Sequence, residues 1–151
     1  MPRGRPPRPR FGALEITDGE IGTMVDVFYG RVLKDPVLGP LFARIGPDDW
    51  QPHLATMRDF WSSILLASGR YKGAPMAAHI PMSHLKSSDF ERWLALFRET
   101  VEELFEAAVS SAIMGKAENI AKSLHFGIAS RRGEVVTWDP SSTRPLAELE
   151  P

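Results

Sequence analysis

Residues 76–82, with the sequence MAAHIPM, form a short and mostly apolar stretch that carries one imidazole between two long helical patterns. Pro75 suits the first turn of a helix that carries His79, and Pro81 limits that helix to about two turns. An imidazole held on such a segment is a candidate metal ligand. The alternative is an ordinary histidine at the end of a short helix, so the flanking patterns are needed to choose between the two.

Both flanking patterns are apolar stripes in which large side chains recur every three or four residues, as in a core-facing helix. The pattern before the stretch follows the turn at residues 46–49 and contains Trp50, His53, Leu54, Met57, Phe60, Trp61, Ile64 and Leu65. The pattern after it contains Phe90, Trp93, Leu94, Phe97, Val101, Leu104 and Phe105. The two helices therefore present many aromatic rings to one interior.

Capping signals predict where helices begin. Thr17 with Glu20, and Ser88 with Glu91, each form the Ser/Thr-x-x-Glu pattern of a capping box. Together with a last apolar pattern that ends near residues 131–133, these signals predict an all-α domain with about four long helices and two short ones. No segment has the alternating pattern of a strand.

The composition restricts the class of protein. Of 151 residues, 43% are apolar and 25% are charged, and 18 basic residues balance 19 acidic ones, so nucleic-acid binding is not indicated. The absence of cysteine excludes thiolate chemistry, and no apolar run is long enough for a membrane span, so a cytoplasmic protein is expected. We expect a disordered Pro/Arg-rich arm at residues 1–14, one domain at 15–132 and a loose tail at 133–151.

No nucleotide-binding, zinc-protease, serine-hydrolase or di-iron motif is present. What remains is an apolar slot between helices, with His53 on one long stripe and His79 on the short segment. A flat macrocycle such as haem needs such a slot and one axial nitrogen. A packed helical bundle without a ligand would explain the stripes equally well.

The chain resembles the group III truncated haemoglobins over about residues 17–125, in the order and spacing of several separate motifs. The matching motifs are FYGRV at 28–32, DPVLGPLF at 35–42, Trp50-x-x-His53-Leu54, Phe60-Trp61, Tyr71-x-Gly73-x-Pro75-Met76-x-x-His79, Phe90-x-x-Trp93-Leu94-x-Leu96-Phe97 and Ala121-x-Ser123-Leu124. The resemblance implies a truncated globin, that is, a two-over-two helical sandwich that holds one haem b. It does not explain the N-terminal arm or the tail.

The resemblance also implies roles for individual residues. His79 matches the proximal histidine that ligates the iron, Tyr29 the distal tyrosine and Trp93 the distal-pocket tryptophan. His53 matches a distal histidine that gates the pocket in this family.

Three further positions match residues that contact the cofactor. Phe42 matches the phenylalanine wedged against the macrocycle, and Met57 lies one turn after the distal histidine position. Tyr71 lies in the loop expected near the propionates, where Arg70 and Lys72 are weaker candidates. We expect His84 and His125 to be structural.

These roles imply a protein that binds O2, NO, CO or peroxide, and we expect it to be a monomer. Hydrogen bonds from a distal tyrosine and tryptophan retain O2 tightly, which argues against bulk oxygen transport and favours NO dioxygenation or peroxide reduction with an unidentified electron donor. The alternatives are an O2 store or a diatomic-gas sensor without turnover, and a helical interaction module that has lost its haem.

Overall fold

A computed structural model describes residues 10–11, 14–79, 84–134, 138–140 and 143–149 of the chain. The helices are α1 (Asp18–Lys34), α2 (Leu38–Phe42), α3 (Pro47–Leu66), α4 (Pro75–His79), α5 (Ser87–Leu104) and α6 (Ala107–Arg131). Single 3₁₀ turns lie at Ala43–Ile45 and Leu146–Glu148. The all-α prediction is confirmed, with four long helices and two short ones in the described chain.

The first helix starts where the sequence predicts. The backbone N–H of Glu20 donates to Thr17 Oγ1 at 3.1 Å, and the Thr17 N–H donates to Glu20 Oε1 at 3.0 Å. These two hydrogen bonds are the capping box, and they satisfy backbone N–H groups that have no partner within the helix.

The second predicted capping box is wrong. Helix α5 starts at Ser87 instead, and the backbone N–H of Lys86 donates to Asp89 Oδ2 at 3.0 Å. Because the start is two residues earlier than predicted, Glu91 lies beyond the position that a capping box uses. Its carboxylate accepts hydrogen bonds from Arg144 in the C-terminal part of the chain.

The four long helices pack in two layers around one core. Helix α1 packs on α3 and α5, and α5 packs on α6. The largest fully buried side chains are aromatic, namely Phe28 on α1, Trp61 on α3 and Phe97 on α5. The stripes predicted from spacing are therefore the faces that form the core.

The short helix α2 lies close to the end of α1. A Cβ atom at Gly39 would be 2.7 Å from the carbonyl oxygen of Leu33, so this approach requires glycine. It places Leu41 and Phe42 beside the core. Gly127 differs from Gly39, because a Cβ there would meet only the flexible end of the Met76 side chain, which can move aside.

The N-terminal arm is partly ordered, which differs from the expectation for residues 1–14. Strand β1 (Arg10–Phe11) pairs antiparallel with β2 (Leu14–Glu15), and β1 contacts α3. Two-residue strands leave no room for an alternating pattern, so periodicity could not reveal them. The rest of the predicted arm, residues 1–9, 12 and 13, lies outside the described residues.

Part of the predicted C-terminal tail packs against the core. Trp138 and Leu146 pack against the core, and Pro140 is buried. Single anchoring side chains between prolines give no periodic signal, so the sequence could not indicate this packing. Residues 135–137, 141–142 and 150–151 of the predicted tail lie outside the described residues, as do residues 80–83, including Pro81.

None of the described helices combines the length and the apolar character that a helix needs to cross a bilayer.

Candidate functional site

The helices enclose a cavity of about 390 Å³, which is within the usual size range of small-molecule and cofactor sites. All seven residues singled out as site candidates line it: Tyr29, Phe42, His53, Met57, Tyr71, His79 and Trp93. Most other lining side chains are apolar, namely Leu38, Leu41, Ile45, Phe60, Trp61, Pro75, Leu85, Phe90, Ile120, Ala121 and Leu124. The fold therefore gathers residues from six helices and from the segments that connect them around one apolar space.

His79 is the last residue of α4, and its orientation is fixed by its own helix. Its Nδ1 lies 2.7 Å from the carbonyl oxygen of Pro75. A carbonyl oxygen only accepts hydrogen bonds, so Nδ1 carries a proton, and the neutral tautomer that fits this contact has its lone pair on Nε2. Histidines that ligate metals commonly have this second hydrogen bond, which fixes the tautomer and the ring orientation. His79 is thus prepared to bind a metal through Nε2.

His53 is a half-buried imidazole on α3 within a group of aromatic rings. Its ring centroid lies 5.3 Å from that of Tyr29 and 5.5 Å from that of Trp50. Its Nε2 is buried and has no hydrogen-bond partner among the described residues. Burial is the main cause that lowers the pKa of His53, and the proximity of His79 acts in the same direction. The imidazole is therefore neutral at physiological pH, with a polar nitrogen that a ligand could satisfy.

Tyr29 is buried on α1, and burial raises its pKa. The phenol therefore stays protonated and remains a hydrogen-bond donor over the physiological pH range. Its ring makes edge-to-face contacts with Phe28 at 4.9 Å and with Phe42 at 5.8 Å. These contacts hold the ring, so the hydroxyl is pre-positioned by packing.

Trp93 reaches the cavity from α5. Its ring stacks on Phe97 with centroids 5.2 Å apart and an interplanar angle of 10°. It also meets Phe28 edge to face at 5.3 Å. Phe28 contacts both Tyr29 and Trp93. This one buried ring therefore helps to fix the positions of both residues, which are the two candidate hydrogen-bond donors to a ligand.

The loop before α4 supplies Tyr71, whose ring packs edge to face on Phe60 at 5.2 Å. The Tyr71 backbone N–H donates to Ser63 Oγ at 2.9 Å. Arg70 does not line the described cavity, because its guanidinium binds the Asp18 carboxylate at 2.6 Å and 3.0 Å. Lys72 is also absent from the described lining.

Sequence reasoning missed several polar lining residues, namely Arg44, Thr56, His84 and Asp89. Arg44 lies in the 3₁₀ turn directly after α2. Its position two residues after Phe42 was the one feature of the sequence that could have identified it. His84 was expected to be structural, yet it is exposed and lines the cavity. His125 is buried beside Phe90 and Trp138 and does not line it.

The residues present fit a haem. Within the described chain, no group of three or more histidine, aspartate and glutamate side chains could hold a metal ion by itself. In a haem the macrocycle would supply the other ligands of the iron, and the His79 Nε2 would be the protein ligand. The apolar lining suits a flat aromatic ring. The His53 Nε2, which has no partner among the residues described, offers a polar contact to a ligand beside the ring.

Comparisons with known proteins find a similar sequence and a similar solved structure. The sequence is 34% identical over 114 residues to the group 3 truncated hemoglobin ctb of Campylobacter jejuni, and the alignment covers 74% of this chain and 88% of that protein. The crystal structure of a group III truncated hemoglobin from Campylobacter jejuni superposes with a TM-score of 0.69 and 30% identity, covering 73% of this chain and 89% of that one. No protein-family model matches the chain.

Proposed function

Because the chain belongs to the group III truncated haemoglobins, we propose that its cavity holds one haem b, with the His79 Nε2 as the protein ligand of the iron. The observation that carries this proposal is the His79 ring, whose Nδ1–H is bound to Pro75 and whose Nε2 is left for a metal in an apolar cavity. As a globin, the protein is expected to bind small diatomic ligands.

When bound, the haem supplies an iron at which O2, NO, CO or peroxide coordinates. The remaining chemistry belongs to the chain. The Tyr29 hydroxyl and the Trp93 indole N–H line the same cavity and are the two candidate donors to the ligand. In a dry site each such hydrogen bond contributes about 1–3 kcal/mol and slows release of a ligand that carries partial negative charge.

His53 is the candidate acceptor of a proton. Its ring is neutral because burial lowers its pKa, and its Nε2 is buried without a partner among the described residues. A neutral imidazole can take a proton from one oxygen of peroxide and give it to the other oxygen, which leaves as water when the O–O bond breaks. This proton transfer is general acid–base catalysis. Both this reaction and NO dioxygenation need electrons, so the proposal includes an external electron donor.

We therefore infer NO dioxygenation or peroxide reduction as the activity, because strong retention of O2 is unsuited to bulk transport. The monomeric state and the cytoplasmic location remain predictions from the sequence. The test is rapid mixing of the oxygenated protein with NO, and of the loaded protein with peroxide and a chemical reductant. Multiple turnovers would support the proposal, whereas ligand binding without consumption of NO or peroxide would indicate a store or a sensor.

The Tyr29→Phe variant is expected to release O2 about ten- to a hundredfold faster than the wild type, since it lacks one hydrogen bond to the ligand. The dissociation rate is measured by displacement with CO in a stopped-flow spectrometer. Thr100→Val is the matched control, because Thr100 is also buried but its hydroxyl donates to Leu96 O within α5, away from the described cavity lining. Equal release rates for Tyr29→Phe and the control would exclude Tyr29 as a donor.

A further inference from the structure

The C-terminal segment, defined here by its described residues 138–140 and 143–149, contacts three consecutive residues of α5. These are Phe90, Glu91 and Arg92, which directly precede Trp93 in the sequence. Phe90 is held by ring packing, Glu91 by an ion pair, and Arg92 by a hydrogen bond to a backbone carbonyl. The contacts therefore concentrate on one turn of α5, the turn that faces the cavity.

The first contact is aromatic. The Trp138 ring lies 6.2 Å from Phe90 and 5.3 Å from His125 on α6, between centroids. Phe90 also packs edge to face on His125 at 5.6 Å. Trp138 thus covers the outer side of a ring pair, and the Phe90 member of that pair lines the cavity.

The second contact is an ion pair. Glu91 Oε1 accepts from the Arg144 Nε at 3.0 Å and from the Arg144 backbone N–H at 3.3 Å. The Glu91 side chain is only 15% exposed, so this carboxylate is held close to the protein surface rather than free in water.

The third contact connects the segment to a buried ion pair. Arg92 Nη1 donates to the carbonyl oxygen of Leu149 at 3.3 Å, while Nε and Nη2 bind both oxygens of Asp35 at 2.7 Å and 2.8 Å. The Asp35 carboxylate also accepts from the Leu38 backbone N–H at 2.9 Å, and Leu38 lines the cavity. Arg92 therefore joins the C-terminal segment, α5 and the α1–α2 corner.

We propose that the C-terminal segment is a clasp that sets the position of Trp93 in the cavity by holding the turn of α5 formed by Phe90, Glu91 and Arg92. Residues three apart on a helix lie on the same face, so Phe90 and Trp93 move together when this turn moves. Trp138 and Arg144 are positioning residues in this account, because they act on the cavity through α5. The inference rests on the proposed function only in its second test.

The first test does not depend on haem. Hydrogen–deuterium exchange of the full-length protein is measured for peptides that cover residues 87–97, in the variants Trp138→Ala and Glu91→Gln. We expect exchange there to accelerate on the order of tenfold, equivalent to about 1.4 kcal/mol of local stability. Phe126→Ala and Arg98→Gln are the matched controls, and both should leave this region unchanged.

The controls separate the clasp from general destabilisation. Phe126 is an aromatic residue on α6 that is 59% exposed and lines no part of the described cavity. Arg98 forms an ion pair with Glu118 at 3.1 Å, later on α5 than the clasped turn. The conservative Glu91→Gln variant keeps the test valid if Trp138→Ala does not fold. Exchange that is unchanged in Glu91→Gln, or equally raised in Arg98→Gln, would overturn the inference.

The second test reads the position of Trp93 directly. In the reduced protein loaded with haem, the infrared stretch of bound CO responds to hydrogen-bond donors beside the ligand. The clasp variants should shift or broaden this band, whereas the controls should reproduce the wild-type band. A merely structural segment would lower thermal stability and leave the band in place, which would contradict the proposal. If the protein binds no haem, the proposed function fails while the exchange experiment still decides the clasp.

Discussion

Replacement of His79 by glycine is expected to lower the affinity for haem by more than about a hundredfold, because loss of a partner of a ligating histidine already costs about 10–100-fold. Addition of free imidazole should restore the absorption spectrum, since the missing ring leaves a space of its own shape beside Pro75. The measurement is a haem titration followed at the Soret band, with and without imidazole.

His84→Ala is the matched control for this experiment. His84 is another histidine that lines the cavity, but it is exposed. The control should bind haem with the spectrum of the wild type. An unchanged spectrum in His79→Gly without imidazole, or its loss in His84→Ala alone, would show that the ligand has been assigned to the wrong histidine.

Replacement of Asp35 by asparagine is expected to lower the free energy of unfolding by about 3–5 kcal/mol, because it leaves the Arg92 guanidinium buried without a counter-charge. The two side chains are 5% and 8% exposed, and the pair is bidentate. Asparagine has nearly the same shape, so the effect isolates the charge. Urea unfolding monitored by circular dichroism provides the measurement.

Asp26→Asn is the corresponding control at the surface. It breaks the ion pair between Arg58 and Asp26, whose side chains are 39% and 51% exposed. Exposed pairs contribute about 0–1 kcal/mol, so this variant should unfold almost like the wild type. Similar destabilisation by the two variants would contradict the role assigned to the buried pair.

The effect of Asp35→Asn should also depend on pH. Burial acts to raise the pKa of Asp35, but the hydrogen bonds from Arg92, Leu38 and Val37 outweigh it and hold the pKa below its usual value. A carboxyl group with a lowered pKa stabilises the fold above its unfolded pKa of about 3.9 and loses this contribution as the pH falls through its folded pKa. The difference between wild type and variant should therefore be constant near neutral pH and shrink in acid.

Local signals in the sequence were sufficient for much of the fold. The capping box at Thr17 and the short helix that carries His79 are where the sequence predicts them, because both depend on residues close together in the chain. The prediction of the second capping box was wrong because Asp89, and not Glu91, occupies the third position of α5. The Asp89 carboxylate caps the Lys86 backbone N–H, which leaves Glu91 for Arg144.

Interactions between distant parts of the chain were beyond prediction. The Asp35–Arg92 pair joins residues 57 positions apart, and nothing local distinguishes Arg92 from a solvated arginine. Arg70 was considered for the propionates, yet Asp18 on α1 binds it. The packing of Trp138 on Phe90 could not be predicted either, because a single tryptophan among prolines gives no periodic pattern.

The candidate site was more predictable than these contacts. Its residues lie on apolar stripes with helical spacing or in the loop before α4, and all seven line one cavity. Spacing alone left haem and a packed bundle as equal explanations. Two geometric observations come only from the folded chain: the hydrogen bond of His79 to Pro75, and the buried His53 Nε2, which has no partner in the part of the chain that the structure describes.

The central claim is that this cavity binds haem through His79, and titration of the purified full-length protein with haem tests it most directly. We predict a strong Soret band that saturates at about one equivalent, shifts on reduction and shifts again when CO is added. Absorbance that rises without saturation, as for free haem in solution, would contradict the account.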